Sequence, residues 1–415
     1  METLQPKLRF PEFEGDWEEK NIGDVTNVTA GGTPSTLISD YWNGSIRWMN
    51  SGDLNLKRVF EVKNRITELG LKKSSTKFIP KFSILIGLAG QGKTRGTVAM
   101  NMVKLCINQS IGAIYPNNDF FNSDFLYHNL DNRYDELRSL STGDGGRGGL
   151  NLSIIKDLVV NFPSLEEQTK IANFISSVDE KINFLKEKKE LLEDYKKGIM
   201  QKIFNQEIRF KDDNGNDFEK WQEKSLGEIG TFQTSSIDKL SRDEEEEVFL
   251  VNYMNVYRHE NINNYTKVHL QIVTAKDSQI NSCNLKKGDI LFTPSSETPD
   301  DIGHSVVIFE DLDNCVYSYH LMRFRPNIEI DILYSHYFCN NTKVLGQISR
   351  LATGSTRFTI SVKSFSSIII DLPCLKEQTK IANFLSAIDE KIELVSNQIQ
   401  DTLEYKKGLL QQMFV

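Results

Sequence analysis

The chain has 415 residues, 49 Lys and Arg against 57 Asp and Glu, and a formal charge of −8. That length suggests two or three domains, each able to bury a core. The acidic balance argues against a uniformly basic nucleic-acid binder, though a basic face can coexist with an acidic remainder. No apolar run approaches the ~20 residues that span a bilayer, and no charged start leads into an apolar signal segment. A cytoplasmic protein without membrane contact is expected.

The chain opens its first globular stretch at Trp17 with WEEKNIGDV, and strand-like runs follow at SIRWMN, FSILIG, IGAIY and DLVVNF. A helix is expected over SDFLYHNLDNRYDELRSL. Residues 84–94 read ILIGLAGQGKT, in which Gly87, Gly92, Lys93 and Thr94 fit the G-x-x-x-x-G-K-[ST] phosphate-loop pattern. A phosphate loop must open directly into a helix whose N-terminus faces the phosphates. Here Arg95-Gly96 and the β-prone TVAM follow instead, so a basic recognition loop is the preferred reading and a nucleotide site the rival.

From Pro163 the chain reads SLEEQTKIANFISSVDEKINFLKEKKELLEDYKKGIMQKIF. Ser164 and Glu167 stand at capping-box spacing. Apolar residues then recur at Ile171, Ile175, Val178, Ile182, Leu185 and Leu192, a heptad seam with one place taken by Lys189. At 1.5 Å per residue, roughly 40 residues of helix span about 60 Å. A helix of that length with one narrow apolar seam calls for a partner helix.

After a polar linker from Asn205 to Trp221, the plan starts again. WQEKSLGEI from Trp221 answers WEEKNIGDV, and EQTKIANF at Glu167 recurs at Glu377. Strand-like runs are expected at EVFLVNYMNV, DILFT, SVVIF and SIIIDL, with Asp243 to Glu247 as a solvated turn. The second seam falls at Ile381, Leu385, Ile388, Ile392, Val395 and Ile399 in the same phase. The domains expected are 1–163, the helix 164–204, linker and second domain 205–373, and the helix 374–415. The fold class is mixed α/β (α+β): two similar globular domains separated by two long antiparallel coiled-coil helices, built on an internal twofold repeat.

Catalytic patterns are absent. Cys106, Cys283, Cys315, Cys339 and Cys374 lack zinc or disulfide spacing and read as reduced thiols. His128, His259, His269, His304, His320 and His336 lack metal spacing and read as filler, and no nucleophile elbow or methyltransferase tetrapeptide is present.

AGGTPSTLISDYWNGSIRWMNSGDL from Ala30, IGLAGQGKTRGTVAM with NQSIGAIY, the closing STGDGGRGGLNLS and ATGSTRFTISV, and the proline ahead of each EQ helix start together resemble one family over nearly the whole chain. It is the specificity (S) subunit of type I restriction-modification systems, the HsdS family. The resemblance implies a non-catalytic, sequence-specific DNA-binding subunit with two target recognition domains, each reading half of a bipartite asymmetric target in double-stranded DNA. The helices would set the unspecified spacer and dock two methyltransferase (M) subunits, with restriction (R) subunits joining. It also implies no cofactor on this chain, with S-adenosylmethionine, ATP and Mg on the partner subunits. By analogy, DNA contacts fall at Thr33, Ser35, Gln91, Lys93, Thr94, Arg95, Asn108, Gln109 and Arg147, and in the second domain at Ser295, Ser296, Thr298, His304, Arg350 and Arg357. The rivals are a nucleotide-hydrolysing enzyme using Gly87–Thr94 and a coiled-coil adaptor that binds no DNA.

Overall fold

The computed structural model describes residues 5–90, 92–140 and 149–415. The chain divides into two compact units, Met1–Glu187 with Ser396–Val415, and Lys188–Val395. Each is built on the same frame.

In the first unit a five-stranded sheet runs in the order Val28–Ala30, Ile111–Ile114, Ile84–Gly87, Val98–Asn101, Arg58–Val59. A second sheet runs Arg65–Ile66, Trp42–Met49, Leu105–Ile107, Phe78–Ile79, with its middle pair parallel. In the second unit the order Gly230–Thr234, Met322–Pro326, Ile290–Phe292, Ser305–Val307 repeats the first sheet without its last strand. Gln271–Ala275, Glu246–Val251, Leu312–Tyr317, Asn284–Leu285 repeats the second sheet, again with a parallel middle pair. A two-stranded ribbon closes each unit, Glu18–Asn21 on Val159–Phe162 and Gln222–Ser225 on Ile369–Leu372. The central segments, so dissimilar in sequence, therefore share strand order and direction.

Three expected elements differ. The turn expected over Asp243 to Glu247 ends early, since Glu246 and Glu247 open the strand Glu246–Val251. YMNV does not continue its strand: Tyr253–Tyr257 is a short helix opened by a capping box between Asn252 and Asn255, because an Asn side chain competes with the sheet for backbone N–H groups. The helix after Asn122 breaks at Arg133 into Ser123–Asn132 and Tyr134–Ser139.

The long helices are Leu165–Phe204 and Leu375–Met413. Within the first unit, Ile171, Ile175, Val178 and Ile182 join the domain core together with Leu409 and Met413 from the far end of the second helix. Within the second unit, Ile381, Leu385, Ile388 and Ile392 join the core with Ile203 and Phe204. The helices thus run antiparallel, and the first half of each seam faces the globular core as well as the partner helix. Leu185, Leu192 and Ile399 are half-buried and Val395 is buried. Ion pairs obey the repeat: Lys406 meets Asp179 at 2.6 Å in the first unit, and Lys196 meets Asp389 at 2.5 Å in the second.

The start shared by the two helices has a physical reason. Gln168 accepts from the Asn122 N–H at 2.9 Å and donates to the Pro163 carbonyl at 2.9 Å. Gln378 accepts from the Asp331 N–H and donates to the Pro373 carbonyl at the same distances. Asn122 and Asp331 are the N-caps of helices packed on each sheet. Ser164 accepts from the Glu167 N–H at 3.2 Å. The Glu167 carboxylate, however, does not complete the expected box: it takes a bidentate fork from Arg9 at 2.8 and 2.9 Å. Glu377 takes the same fork from Arg209 at 2.8 and 2.7 Å. Both carboxylates are buried, and a buried carboxylate is stable only when paired in this way.

Leu8-Arg9-Phe10 is thereby the counterpart of Ile208-Arg209-Phe210. Phe10 packs edge-on against Phe174 and Phe210 against Phe384. The Leu8 N–H donates to the Gln412 carbonyl at the end of the second helix, as the Ile208 N–H donates to the Lys202 carbonyl at the end of the first.

Candidate nucleic-acid interface

In the first unit the residues expected to meet DNA gather around two turns. Gly31 and Gly32 leave no room for a side chain: a Cβ would lie 1.9 Å from the Ile107 carbonyl oxygen in one case and 2.2 Å from Ser75 Oγ in the other. Two indoles hold the turn that follows. Trp48 Nε1 donates to the Gly32 carbonyl and Trp42 Nε1 to the Ser35 carbonyl, both at 3.0 Å, and the rings meet edge to face at 5.0 Å. Thr33 hydrogen-bonds to the Gln109 side chain. Asn108 folds its carbonyl back onto the Ser110 N–H at 3.0 Å. Thr33, Ser35, Asn108 and Gln109 are thus brought together, with Thr33, Ser35 and Gln109 exposed.

Leu88, at the start of the glycine-rich loop, donates its N–H to the Ser110 carbonyl at 2.8 Å, which seats that loop beside the same turn. The loop is no phosphate loop. Ile84–Gly87 passes through it into Val98–Asn101 as an antiparallel hairpin, with Ile86 opposite Val98. Where a nucleotide site needs a helix N-terminus, this chain has a returning strand. The loop is also less free than its glycines suggest, for the Lys93 carbonyl accepts from Thr97 Oγ1 at 2.7 Å and from Tyr134 Oη at 3.0 Å. Lys93 is exposed, Thr94 half-buried, and Arg95 half-buried and engaged within the protein. Gln91 and Arg147 lie outside the described residues.

In the second unit Ser295, Ser296, Thr298 and Arg357 line one open cleft of about 900 Å³ together with Tyr253 and Tyr257. Arg357 donates to Ser295 Oγ at 3.0 Å, Tyr253 Oη donates to the Ser295 carbonyl at 3.0 Å, and the two tyrosine rings stack at 5.8 Å. Asp301 organises the floor, accepting from Tyr257 Oη at 3.1 Å and facing His304 Nε2 at 2.9 Å. The hydrogen bond to Asp301 pushes the Tyr257 hydroxyl pKa upward. Arg350 stands apart, turned back onto the Gly346 carbonyl of its own helix at 3.0 Å. That helix still reaches the site, since Ser349 donates to Asp300 at 3.0 Å.

Two histidines read as filler are part of this network. His259 Nδ1 faces the Ser305 carbonyl and its Nε2 faces His304 Nδ1, both at 3.1 Å. Satisfying those contacts and the one to Asp301 takes three protons on two imidazoles, one more than a neutral pair carries. Burial holds the His259 pKa below its ordinary value. Among the described residues no group of three or more His, Cys, Asp or Glu is placed to hold a metal ion, and no described helix is long and apolar enough to cross a membrane.

Sequence reasoning missed Tyr253, Tyr257, His259 and Asp301. A usable signal was present: Asn252 and Asn255 form a capping box after their strand as Asn50 and Asp53 do after theirs, which places Tyr253 level with Ser51 of the SGDL motif.

The family described as "Type I restriction modification DNA specificity domain" matches twice, over residues 14–194 and 218–405. The chain belongs to this family. Among curated relatives it is 31% identical over 234 residues to the type I restriction enzyme MjaIX specificity subunit of Methanocaldococcus jannaschii, a match that spans 53% of each chain. It is 24% identical over 416 residues to the MjaVIII specificity subunit of the same organism, covering 97% of this chain and 92% of that one. The fold matches the S subunit of a type I system from M. genitalium with a TM-score of 0.56 at 17% identity, over 99% of both chains. It also matches the HsdS subunit from Thermoanaerobacter tengcongensis with a TM-score of 0.52 at 15% identity, over 96% of both chains. Specificity domains of this family thus occur here as two copies in one chain.

Proposed function

We propose that the chain is the DNA-reading subunit of a type I restriction-modification enzyme acting in the cytoplasm, each unit reading one half of a bipartite target. The observation that carries this reading is one sheet frame used twice with different side chains on equivalent turns: Ser51-Gly52 against Tyr253-Met254 after one strand, and the GQGKTRG loop against Ser295-Ser296 after another. A frame kept while its exposed contents change is what two unlike half-sites require, because base-edge contacts specify sequence and must differ where the sequence does. An adaptor with no DNA to read would need no such divergence.

In this reading the antiparallel helices set the spacer and offer docking faces to methyltransferase subunits. Helices of ~60 Å exceed the ~34 Å turn that commonly separates half-sites. The chain itself does no chemistry: S-adenosylmethionine, ATP and Mg belong to the methyltransferase and restriction partners. Its work is to hold donors such as Thr33, Gln109, Ser296 and Arg357 in fixed positions on rigid sheets. The test is co-expression with a type I methyltransferase subunit of the same strain, followed by genome-wide methyladenine mapping. A single bipartite motif that vanishes without this chain supports the reading. A stable complex with no new methylation refutes it and favours the adaptor.

A further inference from the structure

The two units differ sharply in charge along equivalent segments. The 50 residues from Leu69 to Asn118 hold seven Lys and Arg and no carboxylate. The 50 residues from Asp277 to Pro326, their counterpart in the second unit, hold eight carboxylates. In a chain of net charge −8 the first of these is an electrostatic island.

Five of the seven cations are Lys72, Lys73, Lys77, Lys81 and Lys104, all exposed. Among the described residues none has a carboxylate oxygen within 4.0 Å of its ammonium group. Lys77, Lys81 and Lys104 flank an edge strand and its partner, since Phe78–Ile79 is the last strand of its sheet and pairs with Leu105–Ile107, while Lys72 and Lys73 end the short helix Glu68–Lys72 that precedes it. Lysines on an edge commonly serve to deter strand addition, but that role needs neither five of them nor aromatic neighbours. Here Lys104 lies 4.0 Å from the Phe78 ring and Lys81 5.0 Å from the Phe82 ring, and both rings are more than a third exposed.

Phe82 adds a second observation. It adopts φ +66°, a left-handed conformation that bulky side chains rarely take. The equivalent position in the second unit is Gly288 at φ +88°. The same backbone hydrogen bond marks both places: Phe82 N–H donates to the Asn101 carbonyl at 2.7 Å, and Gly288 N–H to the Ile308 carbonyl at 2.8 Å. The first unit thus places an exposed aromatic ring among lysines at a left-handed position that the second unit gives to glycine.

The strip continues into the turns described above. Thr76 Oγ1 donates to the Ile107 carbonyl at 3.0 Å, and the Gly32 N–H donates to the same oxygen at 2.9 Å. From there the Leu88–Ser110 bond leads to the loop carrying Lys93.

We propose that Lys72, Lys73, Lys77, Lys81 and Lys104, with Phe78 and Phe82 among them, form a track for the phosphate backbone of duplex DNA running off the first half-site. The first unit then supplies most of the chain's salt-dependent affinity and the acidic second unit supplies mainly base readout. This rests on the reading that the first unit binds duplex DNA.

The full chain is titrated against a fluorescent random-sequence duplex of about 40 base pairs, by anisotropy, at several salt concentrations. Replacing all five lysines by Gln should make the slope of log K against log salt shallower by about 3 to 4.5, at ~0.9 per phosphate contact. The double variant Lys286→Gln/Lys287→Gln in the second unit should leave it unchanged. Phe82→Gly should fold at least as well, judged by its melting curve, yet bind the duplex more weakly. Lysine acetylation with and without the duplex, read by mass spectrometry, checks the wild-type chain directly: the five lysines should be protected. An unchanged slope in the quintuple variant, or five unprotected lysines, while the wild type still binds, overturns the track and leaves the DNA-reading role standing. A wild-type chain that binds no duplex at any salt overturns both.

Discussion

The turn that carries Thr33 and Ser35 is held by Trp48, so Trp48→Phe should loosen the turn proposed to face DNA while leaving Thr33 and Ser35 themselves in place. Phe fills most of the site but cannot donate to the Gly32 carbonyl, now 3.0 Å from the indole nitrogen. Leaving that buried oxygen unpaired costs about 1–3 kcal/mol. The weakened edge-to-face contact with Trp42, at 5.0 Å and 88°, removes about 0.5–1.5 kcal/mol more. The sum of roughly 2–4 kcal/mol corresponds to a melting shift of about 5–15 °C for a unit of this size. A thermal melt of the full chain measures it, and hydrogen exchange localises it: the Gly32 N–H, bonded to Ile107, should exchange faster. Methylation of the first half-site should fall while sheet protection elsewhere persists. A melt within about 2 °C of wild type together with unchanged exchange at Gly32 would refute the argument that the indole fixes the turn.

Gln168→Ala and Gln378→Ala should destabilise their respective units by similar amounts, about 2–4 kcal/mol each, because each strips a helix N-cap and a proline carbonyl of the same bonds; markedly unequal urea midpoints would break the equivalence. Gly31→Ala should be worse than either, since its Cβ would lie 1.9 Å from a backbone oxygen that cannot rotate away, and soluble, fully folded protein would contradict it. Burial holds His128, His259 and His336 below the ordinary histidine pKa. Unfolding raises these values toward ~6.5, so below that pH the unfolded chain binds more protons and stability falls, by up to about 1.4 kcal/mol per pH unit for each histidine that stays neutral. The melting temperature should therefore drop between pH 7 and 5.5, and a flat or rising profile would count against neutral burial.

Much of the frame was legible because the repeat is nearly verbatim where side chains face the domain core and a helix start at once. Glu167, Gln168 and Ile171 each have several fixed neighbours, so few substitutions survive and the spelling persists. Between those ends only the pattern of apolar strands is constrained, and Ile84, Ile86 and Met100 can be answered by Ile290, Phe292 and Val307 with little identity. The shared strand order was for that reason invisible in the letters. The phosphate-loop match shows the converse: spacing alone fits a nucleotide site, but Arg95-Gly96 followed by β-branched residues favours a hairpin, and the hairpin forms. In the candidate site, single motifs such as GGTPS were readable, whereas the cleft around Asp301 required bringing Tyr257, His259 and His304 together across some 45 residues of intervening chain, which depends on tertiary pairing.

The matched hydrogen bonds of Leu8 with Gln412 and of Ile208 with Lys202 give the two units the same closure, each within its own residues. Neither unit's closure depends on where the chain starts: a chain opened within 205–221 and joined across its present ends would keep the same contacts inside each unit. Under the proposed DNA-reading role, one unit exchanged at the shared EQTKIANF sequence would therefore bring a new half-site while the contacts of the other unit stay as they are.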